Sequence, residues 1–226
     1  SPDGIGNELK FDPNNPQCGN PTNVGSGCKI EAVSLAQVCA GTQKTSIDLR
    51  YGNLFGNFAL TGSFVEPSWF LYPIDLTLVD QETTTGRRVL IPRGGGEVEE
   101  YLLQANGTYL SFNPSTQLIK QGDVWLRKEA RTQTVEVYDS FGRLSQMRYF
   151  DGSGFNLNYV NEIGMRHLNM VGLNNQTLAT FAYLMDSSGA MRLNEIALAD
   201  GRSFGFSYQE YIGGDNVRDI FLQSVV

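Results

Sequence analysis

Apolar and polar residues alternate with a period of two in several short stretches of this chain, the pattern of strands buried on one face. In the first half, Thr45–Tyr51 (TSIDLRY) and Ile74–Val79 (IDLTLV) carry it most plainly, and both are predicted as strands. Glu31–Ala40 (EAVSLAQVCA) reads two ways. The spacing of Val33, Ala36 and Ala40 suits a short helix, whereas the β-branched residues and the following Gly41 suit a strand. Residues 1–28, rich in Pro, Gly and Asn, predict an irregular lead-in, residues 29–100 a first β region, and residues 101–226 a second region of different character.

That second region is defined by recurrence. Phe112-Asn113-Pro114-Ser115-Thr116-Gln117-Leu118 can be laid on Tyr138-Asp139-Ser140-Phe141-Gly142-Arg143-Leu144 at an offset of 138 minus 112, or 26 residues. Downstream, Leu144, Leu168 and Leu193 are 24 and 25 residues apart, and each is followed 15 positions later by a tyrosine: Tyr159, Tyr183 and Tyr208. A glycine precedes each leucine (Gly142, Gly164, Gly189), and a turn pair lies between leucine and tyrosine (Asp151-Gly152, Asn174-Asn175, Asp200-Gly201). Such pairs favour positive φ, so each unit predicts two antiparallel strands joined by a two-residue turn. Stacked edge to edge, these hairpins predict an all-β chain built on an extended, curved antiparallel sheet.

Composition supports the class and narrows the partners. The 226 residues include 25 glycines, 13 phenylalanines and 10 tyrosines, as expected of strands punctuated by tight turns. The formal charge of -7 argues against a broad footprint for nucleic acid or anionic lipid, and leaves Arg87, Arg88 and Arg93 as local basic contacts only. No apolar run is long enough for a membrane-spanning helix, and SPDGIGNELK lacks the charged and apolar regions of a signal peptide, so any export signal is expected to lie upstream or to have been removed. Cys18, Cys28 and Cys39 allow one disulfide and one leftover thiol. A Cys18–Cys28 bridge would close a Gly-rich loop in an oxidising compartment, and unpaired thiols are the alternative.

Candidate chemistry is thin. His167 is the single histidine and so cannot join a two-histidine metal site. Arg93-Gly94-Gly95-Gly96 reads as a mobile hairpin tip, and the glutamates after it, Glu97, Glu99 and Glu100, read as a solvated edge face in preference to a glycosidase pair. Asp12, Asn14 and Asn15 do not complete a calcium loop. Trp69 and Trp125 are the candidate stacking residues if the sheet displays aromatics to a glycan or protein partner. No cofactor, metal site or catalytic residue is expected.

The stretch Val135–Tyr159 (VEVYDSFGRLSQMRYFDGSGFNLNY) resembles the YD repeat of the RHS family, with Tyr138-Asp139, Gly142-Arg143-Leu144, Asp151-Gly152 and Tyr159 in the motif's places. Later units are degraded: Leu184-Met185-Asp186 replaces the dipeptide, and Gly164-Met165-Arg166-His167-Leu168 lengthens the Gly-Arg-Leu element. Gly19-Asn20-Pro21-Thr22-Asn23, Leu49-Arg50-Tyr51 and Pro67-Ser68-Trp69 resemble the domain that commonly precedes such repeats, although Phe64–Phe70 departs from its usual Gly-Trp form. The resemblance implies a spiralling β-sheet that closes into a hollow shell around a C-terminal toxin in a secreted or cell-surface bacterial protein. This chain would be a non-catalytic wall or plug segment whose partners are the remainder of its own longer chain. The family's self-cleaving Asp-Pro-x-Gly region and a toxin domain are not found in this sequence, and an excerpt of something longer is expected.

Overall fold

A computed structural model describes residues 9–10, 22–23, 28–52, 69–94, 97–212 and 218–226, and every described element is a strand or a turn. The first strands are β1 (Leu9–Lys10), β2 (Thr22–Asn23), β3 (Cys28–Ala40), β4 (Gln43–Gly52) and β5 (Trp69–Tyr72). Then come β6 (Val79–Thr83), β7 (Gly86–Gly94), β8 (Glu97–Leu103), β9 (Tyr109–Ser111), β10 (Thr116–Gln121), β11 (Val124–Glu129) and β12 (Thr134–Tyr138). The last are β13 (Leu144–Arg148), β14 (Gly154–Tyr159), β15 (His167–Gly172), β16 (Thr177–Met185), β17 (Met191–Leu198), β18 (Ser203–Ile212) and β19 (Arg218–Val225). Glu31–Ala40 is therefore strand, because a 13-residue extended run pairs with β4 along its length.

Strands β6 to β19 form one antiparallel meander, each hydrogen-bonded to its sequence neighbour, with β1 added beyond β19; the order is that of a 15-stranded sheet. Strands β2 to β5 make a separate four-stranded sheet. The smaller sheet covers one face of the larger. Arg50 donates to the Arg93 carbonyl at 2.7 Å, Thr45 and Tyr149 share a hydrogen bond, and Thr42 and Gln43 at the β3–β4 turn reach Asp151. Ile47, Leu49, Phe70 and Leu71 from the small sheet join Val89, Ile91, Leu144, Phe155 and Met170 from the large one in a single core. The boundary expected near residue 100 falls inside β8, and the large sheet runs through it without a break. Of the lead-in, only β1, β2 and the start of β3 at Cys28 are described; the Cys18–Cys28 pairing, Asp12, Asn14 and Asn15 lie outside the described residues and side chains, and Cys39 is a free, exposed thiol.

The turns differ from expectation in a uniform way. At 149–153, Tyr149 N–H donates to Ser153 C=O and Gly152 N–H to Tyr149 C=O, which makes a three-residue loop. The same pair of bonds closes 104–108, 139–143, 172–176, 186–190 and 198–202. Only the third loop residue adopts positive φ, at 67° for Asn175 and between 78° and 89° for the glycines. Asp151, Asn174 and Asp200 do not. Their side-chain oxygens accept the N–H two residues on, from Ser153, Gln176 and Arg202, an Asx turn that replaces the predicted type I′ geometry.

Ile74–Val79, expected to be a strand, is mostly a crossover. Asp75 N–H bonds Leu71 C=O and Leu76 N–H bonds Pro73 C=O, so the chain turns as it leaves the small sheet. It then pairs antiparallel with the turn ahead of β13: Leu78 N–H donates to Gly142 C=O at 2.7 Å and Leu144 N–H to Leu76 C=O at 3.2 Å, around a Thr77–Arg143 bridge. Ile74, Leu76 and Leu78 are all buried there, and so are Asp75, which accepts the Leu71 N–H at 2.8 Å, and Thr77, so the alternation does not mark an exposed face. The approach is close enough that a Cβ on Gly142 would lie 2.1 Å from the Leu78 carbonyl oxygen, at φ +78°.

Gly142→Ala is therefore expected to destabilise by about 3 kcal/mol or more, combining left-handed strain of roughly 1–2 kcal/mol with a backbone clash. Gly201→Ala shares the positive φ but meets nothing within 4 Å, and should cost only about 1–2 kcal/mol. Urea unfolding of the two variants checks the difference; equal losses would refute the close-approach argument.

Candidate functional site

The covered face of the large sheet holds two polar constellations, and both arise from strand parity. Side chains alternate faces, so Trp125 and Arg127 on β11, and Glu136 and Tyr138 on β12, point the same way. Register places Arg127 opposite Glu136. Both Glu136 oxygens are forked by Arg93 at 2.7 Å, Arg127 donates to Glu136 at 3.3 Å, and Tyr138 OH donates to it at 2.7 Å. Arg127 also forks Glu99, at 2.6 and 2.7 Å, and Tyr101 OH donates to Glu99. Glu136 is 1 % exposed and Arg127 5 %. Burial pushes the Glu136 carboxyl up, but Arg93, Arg127 and the Tyr138 hydroxyl override it and hold the group below its usual range. Burial pushes the Tyr101 hydroxyl up to about 12.

This cluster corrects the reading of the glutamates. Glu99 is an inward residue of a central strand and half of an ion pair, Glu100 pairs with Arg88 at 3.0 Å, and Glu97 is exposed, so the three do not converge. Arg87, Arg88 and Arg93 are likewise engaged, with Asp80, Glu100 and Glu136. Sequence reasoning missed Arg127 and Glu136 because a charge at an inward position is visible only once the register is known. Their two-residue spacing from Trp125 and Tyr138 was the available signal.

The second constellation surrounds the YD-like element. Tyr138 OH serves Glu136, while Asp139 Oδ1 accepts the N–H groups of Phe141 and Arg143 and its Oδ2 accepts from Arg143 Nε at 2.7 Å. Arg143 continues to the carbonyls of Asn161 and Gly164 and lies 4.2 Å from the Tyr159 ring centre. Each of Tyr138, Tyr159, Tyr183 and Tyr208 sits just after a register shift and faces, on the next strand, Leu144, His167, Leu193 and Leu222 respectively. Tyr159 OH donates to Leu144 C=O at 2.8 Å and Tyr208 OH to Leu193 C=O at 2.6 Å, which gives the 15-residue leucine–tyrosine spacing a physical cause in those two places.

The third place is a correction. Leu168 was expected to match Leu144 and Leu193, but it is 50 % exposed, and His167, 4 % exposed, holds the buried position facing Tyr159. The loop between β14 and β15, residues 160–166, is two residues longer than the loops at 139–143 and 186–190, and in a strand a slip of one residue moves a side chain to the opposite face. Tyr183 OH accepts the His167 N–H at 3.0 Å. The His167 ring lies between Tyr159 and Phe181, at 4.9 and 5.6 Å between centres, with hydrogen-bond contact to the Ile74 backbone. Burial drives its pKa down to about 4, so the imidazole is neutral.

The candidate stacking tryptophans are core residues. Trp69 is 5 % exposed against Tyr51, and Trp125 is 4 % exposed against Tyr109. Among the described residues no group of three His, Cys, Asp or Glu side chains is arranged to hold a metal ion. What the covered face can do chemically is hold charge and hydroxyl groups rigidly between two sheets.

Glu136→Gln should cost about 3–5 kcal/mol in urea unfolding, because Arg93 would lose its carboxylate partner while buried and Arg127 would keep only Glu99 and Glu129; a loss below about 1 kcal/mol would refute the assignment. For His167 the folded pKa lies below the ordinary 6.5, so its contribution is complete above pH 6.5 and is lost as pH falls toward 4. The difference corresponds to about 3 kcal/mol. His167→Asn should remove that part of the pH dependence, and an unchanged slope of unfolding free energy between pH 6.5 and 4 would contradict it.

No protein-family model matches this chain and no curated protein matches it, so its function has to be argued from its residues and geometry.

Proposed function

We propose that this chain is a non-catalytic wall segment of an RHS/YD-repeat protein, part of a secreted or cell-surface β structure that encloses or presents a C-terminal effector. One observation carries the reading: two stretches of the large sheet share one register at an interval of 49 residues. Pairs Gln146–Asn156, Met147–Phe155 and Arg148–Gly154 recur as Glu195–Gly205, Ile196–Phe204 and Ala197–Ser203, and 195 minus 146 is 49. Leu144 and Leu193, Tyr159 and Tyr208, Arg143 and Arg192, and Asp151 and Asp200 keep the same interval. A side chain at one of these places meets the same backbone at the other, as expected of a unit that stacks on copies of itself.

The chemistry of the YD element fits a scaffold. Its tyrosine, aspartate, arginine and leucine are consumed in holding turns and strands together, which leaves no side chain of the motif available to a substrate. The alternative of a module that binds glycans through Trp69 and Trp125 has no support in their burial.

The test is the full native product of the gene, purified from its source cells and imaged by cryo-electron microscopy. A hollow β shell containing residues 79–226 in its wall is the expected result. A product with no enclosed volume and no domain beyond this region would overturn the proposal.

A further inference from the structure

In the earliest unit of the repeat, one residue departs from its counterpart. Residues 112–118 follow the pattern of 138–144 at an interval of 26, and the structure keeps most of that correspondence. Asn113 Oδ1 accepts the Ser115 N–H as Asp139 Oδ1 accepts that of Phe141. Thr116 N–H donates to Asn113 C=O as Gly142 N–H does to Asp139 C=O, and Leu118 is buried like Leu144. The aromatic residue does not follow. Tyr138 is fully buried, whereas Phe112 is 89 % exposed, a whole ring left in water.

Phe112 stands between Ser111 and Asn113, both of which line a groove of about 900 Å³. The groove exists because β9 meets β10 at a single pair, Tyr109–Leu118, and then diverges from it. Its walls are tied together: Ala130 N–H, from the β11–β12 turn, donates to Ser115 C=O at 2.8 Å. Lys128 and Glu129 are its charged residues, one of each sign, and Glu129 already accepts the Arg131 N–H and lies 3.7 Å from Arg127. Amides and hydroxyls make up the polar remainder, chiefly Asn113, Ser115, Gln117, Gln133 and Thr134. Ser115 bonds only the oxygen of the Asn113 amide, so its nitrogen is left to donate. The Gln117 and Gln133 amides make no hydrogen bond among the described residues. Gln133 adopts φ 53°, a left-handed position that suits glycine, so a side chain is held there against the backbone preference.

We infer that this groove binds a neutral oligosaccharide, with Phe112 stacked on the apolar C–H face of one sugar ring and the amides of Asn113, Gln117 and Gln133 bonded to its hydroxyls. A sugar ring presents an apolar face and a rim of groups that donate and accept at once; an exposed aromatic ring matches the first and side-chain amides the second. Charge decides the class, because a groove whose charges balance gives no advantage to a uronic acid or a phosphorylated sugar. Since the walls are joined before any ligand arrives, little ordering is left to oppose binding. The stacking residue is thus Phe112 and neither of the buried tryptophans. This inference uses the groove's own residues and stands whether or not the chain belongs to a shell.

The probes are hexasaccharides of glucose, N-acetylglucosamine, mannose and galactose, with hexagalacturonate as the acidic comparison, titrated by calorimetry into the intact chain up to millimolar sugar. Saturable binding of at least one neutral hexasaccharide is expected, with hexagalacturonate weaker by about tenfold or more. Phe112→Ala, checked for an unchanged circular dichroism spectrum and Tm, should weaken the binding about tenfold or more. Gln133→Gly relieves the left-handed backbone, so it should weaken binding while Tm stays equal or rises. The inference is overturned if no neutral hexasaccharide binds or if hexagalacturonate binds as tightly. It is also overturned if a folded Phe112→Ala or Gln133→Gly chain binds equally well, because the sugar is then held elsewhere. Concentration-dependent dimers that shield Phe112, without sugar binding, would assign the ring to a second copy and also overturn it.

Discussion

The structure depends on a short stretch of backbone pairing between Leu76–Leu78 and Gly142–Leu144. It joins residues more than sixty positions apart and ties the exit of the four-stranded sheet to the middle of the fifteen-stranded one. Without it, the β5–β6 connection would have to cross a buried apolar face with its amides and carbonyls unsatisfied, at a cost of several kcal/mol. Gly142 is what allows it, since any side chain there meets the Leu78 carbonyl. Arg143 and Leu144 then act from a fixed position, one anchoring the 161–164 loop and the other entering the core.

The same face carries its charges in a connected set, with Glu129 at 3.7 Å from Arg127 on its margin. Arg93 and Arg127 pair with Glu99 and Glu136, with Tyr101 and Tyr138 completing the carboxylates' bonds, and no buried side-chain polar atom among the described residues lacks a partner. Such a set adds little net stability over a well-packed apolar one, but removal of one member is expensive. Its effect is to reward one strand register, because a slip of a single residue would turn Glu136 outward and strand two guanidinium groups. In a long sheet of similar hairpins, where alternative pairings are many, that is a physical reason for charge to be buried.

The tyrosines address a different problem. Where the pairing of two strands ends, backbone groups lose their ladder partners, and a hydroxyl carried on a rigid ring replaces the missing strand: Tyr159 and Tyr208 supply a donor to Leu144 and Leu193, and Tyr183 an acceptor to His167. A small change of role covers the unit in which histidine stands for leucine. The imidazole stays neutral because burial among aromatic rings, with the Arg143 guanidinium nearby, disfavours its charged form.

Much of the fold was legible in the sequence. Alternation marked the strands, Asx-Gly pairs marked the turns, and the leucine–tyrosine spacing marked Leu144, Leu193, Tyr159 and Tyr208, because these signals are local and obey a period of two. Loop length was misread by one residue, since an Asx turn and a type I′ turn use the same residue types. Leu168 was misplaced because counting cannot detect a longer loop between Tyr159 and His167. The crossover resembles a strand in sequence because its polar residues alternate with apolar ones although Asp75 and Thr77 are buried too, Asp75 in accepting the Leu71 N–H. By itself, then, the sequence determined the all-β class and marked many of the strands and turns, all set by chemistry within a few residues. Which charges lie inward, which residue of 167 and 168 faces the core, and where Leu76–Leu78 pairs were decided only by the tertiary structure, because each depends on how distant segments are registered against one another.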